Sequence, residues 1–598
     1  MSDTDNRKVE MGDSGDGSPS ISRRRIVQSL SASAAAGLAG CQGMLGGGED
    51  GESGERVPKL VLEYWAGRGG TSKIFEDTAP MVQDAAEELG MELEIKPVEF
   101  TTQIGHTSGD MRTHDISYWQ FSPVPDRLDP DEFCRRFTAG WAGGNGKHNP
   151  SNFVNCDVTE PSLAQASASS QEERQELVST SQERLTENFA AMPVAAKVGY
   201  SAYRTDEVDL DGAGSLGIAR TNPDVYAKST PTNGDEIIAY TSPEMVQTSN
   251  FAVISSSASQ GVWNQLVHSP LVGYDSEFNL ENRLAKNYEV TNDGKTVTVE
   301  LKDATFHNGD PITAEDVKFT FEQLAANTGV YTQASEPPYD SIEVLNEKTA
   351  EFNFTESFLP IVSRVWPRWG IFHKDSWVEA GAEDDPENVE LDPIVGSGPF
   401  KVANFETDSE LELEPHDGNP VYDVDHRIVF TVYRDVQSMF QAFKANEVDM
   451  VSQLSPGVYD QVSDMDNGEQ VGANYHTPFS LFPQFPKPPM KFEELRHALG
   501  KALDRKKMNA VGFLGESEPE LAGTLFTKNH PNRPSEDSLT KYTDDPTGDV
   551  EGAKQLLEDA GYTTDGDEQL HYPPDKDLSP RWPAEETPDP EDFPCLEG

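Results

Sequence analysis

Ser397 stands between two glycines in the stretch VGSGPF, residues 395–400, and a serine on such a turn can be a nucleophile. The elbow that exposes a nucleophilic serine needs glycine two residues before it, and Val395 occupies that place. The two glycines also lack the third glycine of a dinucleotide fingerprint and the Lys-Ser/Thr of a phosphate loop, so the turn reads as structural. The twelve histidines contain no HExxH and the four cysteines no paired spacing, so neither a metal nor a cofactor is expected. Carboxylates number 104, dense enough for a hydrolase-like pair to arise by chance.

Cys41 carries a different chemistry. Three arginines at 23–25 precede IVQSLSASAAAGLAG, a weakly apolar run of small residues that ends at Cys41. A basic segment, a short apolar core and small residues before a cut make an export signal, too short for the roughly 20 apolar residues of a membrane span. SRRRIV resembles a twin-arginine signal and LAGC resembles the lipobox of secreted lipoproteins, whose cysteine is lipidated. Residues 1–40 are therefore expected to be the signal and 41–57 a flexible tether. Outside the cell a disulfide is permitted. Cys134 and Cys156 enclose a Gly/Asn-rich loop that a bond would brace by about 3 kcal/mol; two free buried thiols are the other reading. Cys595 is expected to be unpaired.

The formal charge is −57, and Phe, Tyr and Trp make up 9% of the 598 residues. Such a charge repels nucleic acid and anionic lipid, yet the aromatics supply enough apolar material for cores. An acidic, hydrated surface on folded domains follows, suited to a high-salt habitat where charge is screened.

The elements that would position chemistry alternate. KLVLEYW (59–65) reads as a strand, TAPMVQDAAEELG as a helix ended by Gly90, and MELEIKPVEF as a strand, so a βαβ unit and a parallel sheet are expected. DISYWQF adds a strand and residues 170–190 a long polar helix. Residues 211–234 have no sustained period and read as a linker. Beyond it come a strand in DEIIAYTS, a hairpin around NDG at 292–294, and a helix from Thr313 with a Thr313/Asp316 cap. Helical stripes follow in DVQSMFQAFK, FEELRHALGKALDRKKM and VEGAKQLLEDAGY, the last capped by Asp549 and closed by Gly561. After that helix the chain runs into PPDKDLSPRWPAEETPDPEDFPCLEG, too rich in proline and acid to be expected to pack.

Residues 264–324, then PIVGSGPFKVANFE, VDMVSQLSP, PMKFEELRHALGKALDR and VEGAKQLLEDAGY, resemble in order the dipeptide/oligopeptide-type solute-binding proteins of ABC importers over about 230–575. That family continues with a strand, a helix, two more strands and a DP-initiated helix. Here segments like these stand at the front of the chain, in KLVLEYW through ERLTENFAAMPVAAKVGYSAYR. The sequence therefore resembles a circular permutant; the other reading is a truncated neighbour beside an incomplete second copy. The resemblance implies an α/β, two-lobed, periplasmic-binding-protein-like (type II) fold with an extra small domain. Lobe 2 would comprise 58–190 and 479–575. Lobe 1 would comprise 191–212, 235–275 and 391–478. The inserted small domain would be 276–390, the linker joining the family's old termini 213–234, and an acidic tail 576–598.

The resemblance also implies a function: a lipid-anchored receptor, not an enzyme, that captures a short peptide or related solute in the cleft between lobes. It would act as a monomer with permease and ATPase subunits, and without nucleic acid. In peptide-binding members an aspartate three residues before the DP helix start holds the ligand amine; in YWQFSPVPDRLDPDEF that place is Asp126. Trp119 and Phe100 match aromatics that wall the pocket. A secreted peptide or sugar hydrolase, or a sensory lipoprotein using the same cleft, are the alternatives.

Overall fold

The structure is a computed structural model. It describes residues 54–596 apart from Arg68, residues 110–112, Asn145, Lys147, Ser255, Thr332, Gln333, Ser335, Glu336, Ala584 and Glu585, and apart from the side chains of Pro125, Asp126 and Ser257. The export signal and Cys41 lie outside the described residues.

The front of the chain folds as its periodicity predicts. β1 (Leu60–Trp65), α1 (Gly69–Glu88) and β2 (Leu93–Val98) form the βαβ unit, with β1 parallel to β2. α2 (Phe100–Thr107) leads to β3 (Ile116–Gln120), which lies parallel to β1 on its other side. α3 (Gln171–Glu187) is the long polar helix, capped by Ser170, and β4 (Met192–Arg204) follows. β5 (Glu236–Thr241) opens the middle of the chain.

A separate four-stranded sheet comes next. β6 (Ala285–Thr291) and β7 (Thr296–Leu301) form the hairpin around NDG, beside β8 (Tyr339–Asn346) and β9 (Thr349–Phe354) in the order β6-β7-β9-β8. At the turn Asn292, Asp293 and Gly294 all have positive φ, the conformation that makes Asn, Asp and Gly preferred there. A Cβ on Gly294 would also fall 2.1 Å from Ser357 Oγ. α4 (Ala314–Ala326) packs on this sheet and begins with the full Thr313/Asp316 capping box.

The remaining strands are β10 (Phe400–Glu406), β11 (Glu410–Pro415), β12 (Arg427–Val432), β13 (Met450–Val451) and β14 (Gly468–Pro483). With the earlier ones they make a single ten-stranded mixed sheet, β10-β11-β12-β5-β13-β4-β14-β3-β1-β2. Within the sheet its two wings are joined through β4 and β14, the longest strands. α5 (Val436–Lys444), α6 (Glu493–Ala502), α7 (Arg505–Gly512) and α8 (Val550–Asp559) complete the helices named here. This is a mixed α/β fold built on one large sheet.

The two ends of the chain share one core. Leu62, Phe75 and Tyr118 from the front pack in the same cluster as Phe479, Leu499 and Leu557 from the rear. Phe75 and Phe479 stand 5.2 Å apart, and Phe133 and Phe526 5.9 Å. A second core draws on the middle of the chain, from Val208 to Met450. Met439 and Phe440 of α5 and Val458 of the following helix Pro456–Val462, expected with lobe 1, join the front-and-rear core instead, because the buried faces of both helices turn that way.

Several expectations are corrected. Residues 54–57 are not a free tether: the Gly54 amide donates to Tyr572 O (3.0 Å), the Val57 amide donates to Leu570 O (2.8 Å), and Val57 is buried. The 213–234 segment is packed rather than a loose linker. Asn222 caps a helix at Pro223–Lys228, its amide donates to Gly212 O and Gly217 O at 2.9 Å, and Val225 and Tyr226 are buried. A single well-placed asparagine orders this stretch, which periodicity cannot reveal. FEELRHALGKALDRKKM is two helices, since Asp504 accepts from the Lys507 amide (2.8 Å) and so starts α7. The tail also packs: Trp582, Phe593 and Leu596 cluster with Ala139, Ala142 and Val154. Finally, Cys156 is bonded to Cys595, not to Cys134, which is a free buried thiol. Cys134 faces Gln182 and the lobe core, whereas Cys156 opens the helix Cys156–Ala164 beside the returning tail. Among the described residues no helix is long and apolar enough to cross a membrane.

Candidate functional site

The junction of the two wings is an antiparallel ribbon. β4 and β14 pair from Arg204 opposite Gly468 to Met192 opposite Leu481, but the register breaks between Asn474 and Pro478, which face Val198 and Ala196. Tyr475, His476 and Thr477 therefore stand against the single residue Lys197. Such bulges re-aim side chains. Gly199 makes room for this one: a Cβ there would come within 2.2 Å of the Tyr475 hydroxyl.

Lys197 is a lone cation in the otherwise apolar run PVAAKVGY. Its Nζ donates to Gln120 Oε1 at the end of β3 (2.9 Å) and lies 5.9 Å from the centre of the Tyr475 ring. Burial first, then repulsion from Arg127 and Arg220, pushes its pKa down to about 7. Arg220 is buried and donates through Nη1 to the hydroxyls of Ser242 (2.5 Å) and Ser259 (3.0 Å), both neutral. Next to it the Thr221 hydroxyl donates to Pro123 O (3.2 Å), and the Thr477 hydroxyl donates to Phe121 O (2.8 Å). Three cations thus converge at the junction of a chain whose net charge is −57. A site of this composition suits an anionic group, which can take charge-assisted hydrogen bonds from Lys and Arg. Sequence reasoning missed Lys197 and Arg220. The signal for Lys197 was its place inside an apolar strand; Arg220 lay in a segment read as a linker.

The residues expected from the resemblance fall as follows. Asp126 lies in a short 3-10 turn, Pro125–Leu128, directly before Arg127; its side chain is outside the described part. Phe100 begins α2 and stacks on Trp119 at 5.7 Å and 22°, with Trp65 edge-on to Phe100 and His148 5.2 Å from Trp119. The structure thus brings Phe100 and Trp119 together. Successive residues of a strand point to opposite faces, so Trp119 looks toward α2 while Gln120 reaches Lys197.

The segment after Asp126 is held rigidly. Asp129 accepts from the Asp131 amide (2.8 Å). It is also buried and gripped by Arg174 (3.0 and 2.6 Å) and by the Ser363 hydroxyl. Burial alone would raise its pKa, but Arg174, Ser363 and the Asp131 amide together hold it below the usual carboxylate range. Arg364 Nε pairs with Asp131 at 2.9 Å. Ser363 and Arg364 follow the four-stranded sheet in sequence, so these bonds tie that part of the chain to the front wing. Ser397 is buried, accepts from the Ser269 amide (2.9 Å) and donates to Ile371 O (3.3 Å). Its hydroxyl is thus spent on backbone, in keeping with the structural reading of its turn.

The family model described as bacterial extracellular solute-binding proteins, family 5 middle, matches residues 279–590. An ABC transporter peptide-binding protein of Brucella ovis is 26% identical over 311 residues, 50% of this chain and 56% of its own length. The dipeptide-binding protein of Escherichia coli is 24% identical over 375 residues, 55% of this chain and 66% of its own. The chain spans about half the length of the curated relatives it matches. Among solved structures, the oligopeptide-binding protein AppA of Bacillus subtilis, in complex with a nonapeptide, has a TM-score of 0.44 at 20% identity, over 59% of this chain and 68% of that one. NikA of Brucella suis, in complex with Fe(III)-EDTA, has 0.44 at 21% identity, over 58% and 68%. The family match covers more than half of the 598 residues, and on that ground the chain belongs to the family 5 extracellular solute-binding proteins.

Proposed function

We propose that this chain is a circularly permuted solute receptor of an ABC importer, lipid-anchored through Cys41 on the outer face of the cytoplasmic membrane. It captures a short peptide between its wings and hands it, as a monomer, to permease and ATPase subunits. The observation that carries the reading is the ribbon of β4 and β14, whose break lies opposite Lys197, a cation that reaches across to Gln120 at the junction of the wings. A short peptide carries a cation at one end and an anion at the other. Asp126 takes the amine; Lys197 and Arg220 take the carboxylate; Phe100 and Trp119 wall the strand end from the other face. The wings part and close about the ribbon in a hinge motion. The permutation is supported by the core that front and rear share and by the hydrogen bonds that tie 54–57 to 570–572.

The test is a thermal-shift and calorimetric screen in molar salt, since a ligand of the folded state stabilises by mass action. Free peptides are expected to raise the melting temperature. Asp126→Ala is expected to remove the preference for a free over an N-acetylated amine, and Lys197→Met the preference for a free over an amidated carboxyl end. Loss of both preferences in either single variant would contradict the two-ended assignment.

A further inference from the structure

Beneath α2, away from the Lys197 junction, three side chains of metal-ligating type converge. Glu63 sits in β1, fully buried in a strand that is otherwise apolar. His106 is in the last turn of α2, and His114 lies just before β3 and is buried. One ligand atom from each lies within 4.8 Å of the others. Glu63 Oε1 is 2.7 Å from His106 Nδ1 and 4.0 Å from His114 Nδ1. Glu63 Oε2 and His114 Nδ1 are both buried without a hydrogen-bond partner among the described residues; Lys96 Nζ, on a half-exposed side chain, stands 3.5 Å from Oε2. An unpartnered buried carboxylate oxygen and an unpartnered buried ring nitrogen aimed at one point are costly unless something joins them.

We propose that Glu63, His106 and His114 bind a borderline divalent transition-metal cation of the Zn2+ type. Two imidazoles and a carboxylate form a three-ligand zinc set with the fourth position left to water. The groups must draw in to reach metal–nitrogen distances of about 2.0–2.1 Å, which short side-chain rotations and outward movement of Lys96 allow. Spacing along the chain could not reveal the set, because its members come from a strand, a helix end and a loop 51 residues apart at the extremes. The metal pins α2 to β1 and to the entry of β3, and α2 begins with Phe100, so it fixes the ring that stacks on Trp119.

The second layer is specific. His114 Nε2 now faces Gln484 Nε2 at 3.1 Å, and that amide also donates to Pro150 O (2.8 Å). Metal on Nδ1 puts the ring proton on Nε2, which then needs an acceptor. Gln484 must turn to offer its oxygen, exchanging its bond to Pro150 O and the one its Oε1 accepts from Asn152 Nδ2 (3.1 Å).

The test uses tag-free full-length protein in molar KCl, titrated with Co2+ and then Zn2+. Stoichiometric Co2+ binding with intense four-coordinate ligand-field bands, displaced by Zn2+, is expected. Glu63→Gln and His106→Gln should each weaken binding at least 10-fold. Circular dichroism of each variant checks its fold. Weak, six-coordinate spectra unchanged by His106→Gln would mean that only the acidic surface binds metal, and would overturn the site. So would tight binding that neither Glu63→Gln nor His106→Gln weakens in a folded protein.

Discussion

Lys197, half-buried, and Asp129, fully buried, show two ways of holding a charge within the fold. Lys197 leans on a neutral amide, and two guanidiniums oppose it. Its pKa is about 7 in the fold and 10.5 without it. Between those values the unfolded chain holds a proton that the native chain has released, so this group makes stability rise with pH from about 7 to 10.5. An anion binds the charged form, so affinity should fall by up to about tenfold per unit as pH rises above that point. Lys197→Met is expected to abolish both slopes and to raise the melting temperature of the free protein near neutral pH. Melting curves and calorimetry across pH 6–10 would check it, and unchanged slopes in the variant would refute it. Asp129 is instead matched by Arg174. Arg174→Met strands its carboxylate and should cost about 3–5 kcal/mol at neutral pH. Because the folded pKa is depressed, Asp129's contribution is present above the ordinary aspartate range and lost as pH falls through the folded value. The gap between wild type and Arg174→Met in urea titrations should therefore shrink in acid; a constant gap would contradict the pairing.

Elements with local signals were legible in the sequence. α1, the hairpin at 292–294 and the capping box of α4 each depend on residues within a few positions of one another. The tail and the 213–234 segment were not legible, because what orders them is sparse and distant. Trp582 packs on Ala139 and Ala142, far off in the chain, and the one side chain of Asn222 donates to Gly212 O and Gly217 O in the loop before it. The disulfide was least accessible, with partners separated by 439 residues, while the nearer cysteine Cys134 pointed into the core. The bond now holds the tail against the loop that carries His148, the neighbour of Trp119. Replacing both Cys156 and Cys595 by serine should cost about 2–5 kcal/mol. It should raise hydrogen exchange in residues 139–149 and 576–596 first, with β1 and α1 protected as before. Uniform loss of protection would show that the tail is part of the main folding unit rather than a staple upon it.

At the scale of the molecule, the proposed function rests on the two ends of the chain making one wing. Phe100 and Trp119, singled out in the sequence, stack on one another, whereas the cations of the junction came from an apolar strand and an apparent linker, where no local pattern marks them. The chain ends are close enough for a direct test. Gly54 N lies 3.0 Å from Tyr572 O, so a short link can join 575 to 54, and the exposed turn at Asn233 and Gly234 offers a place to cut. The most direct measurement is the thermal unfolding of this rearranged chain, residues 234–575 followed by 54–233, beside the natural order. One cooperative transition, within a few degrees of the natural chain's once the missing staple is matched by a Cys156→Ser/Cys595→Ser control, is the predicted result. Two separate transitions, or no folded protein while the control folds, would contradict a shared wing and the solute-binding junction built on it.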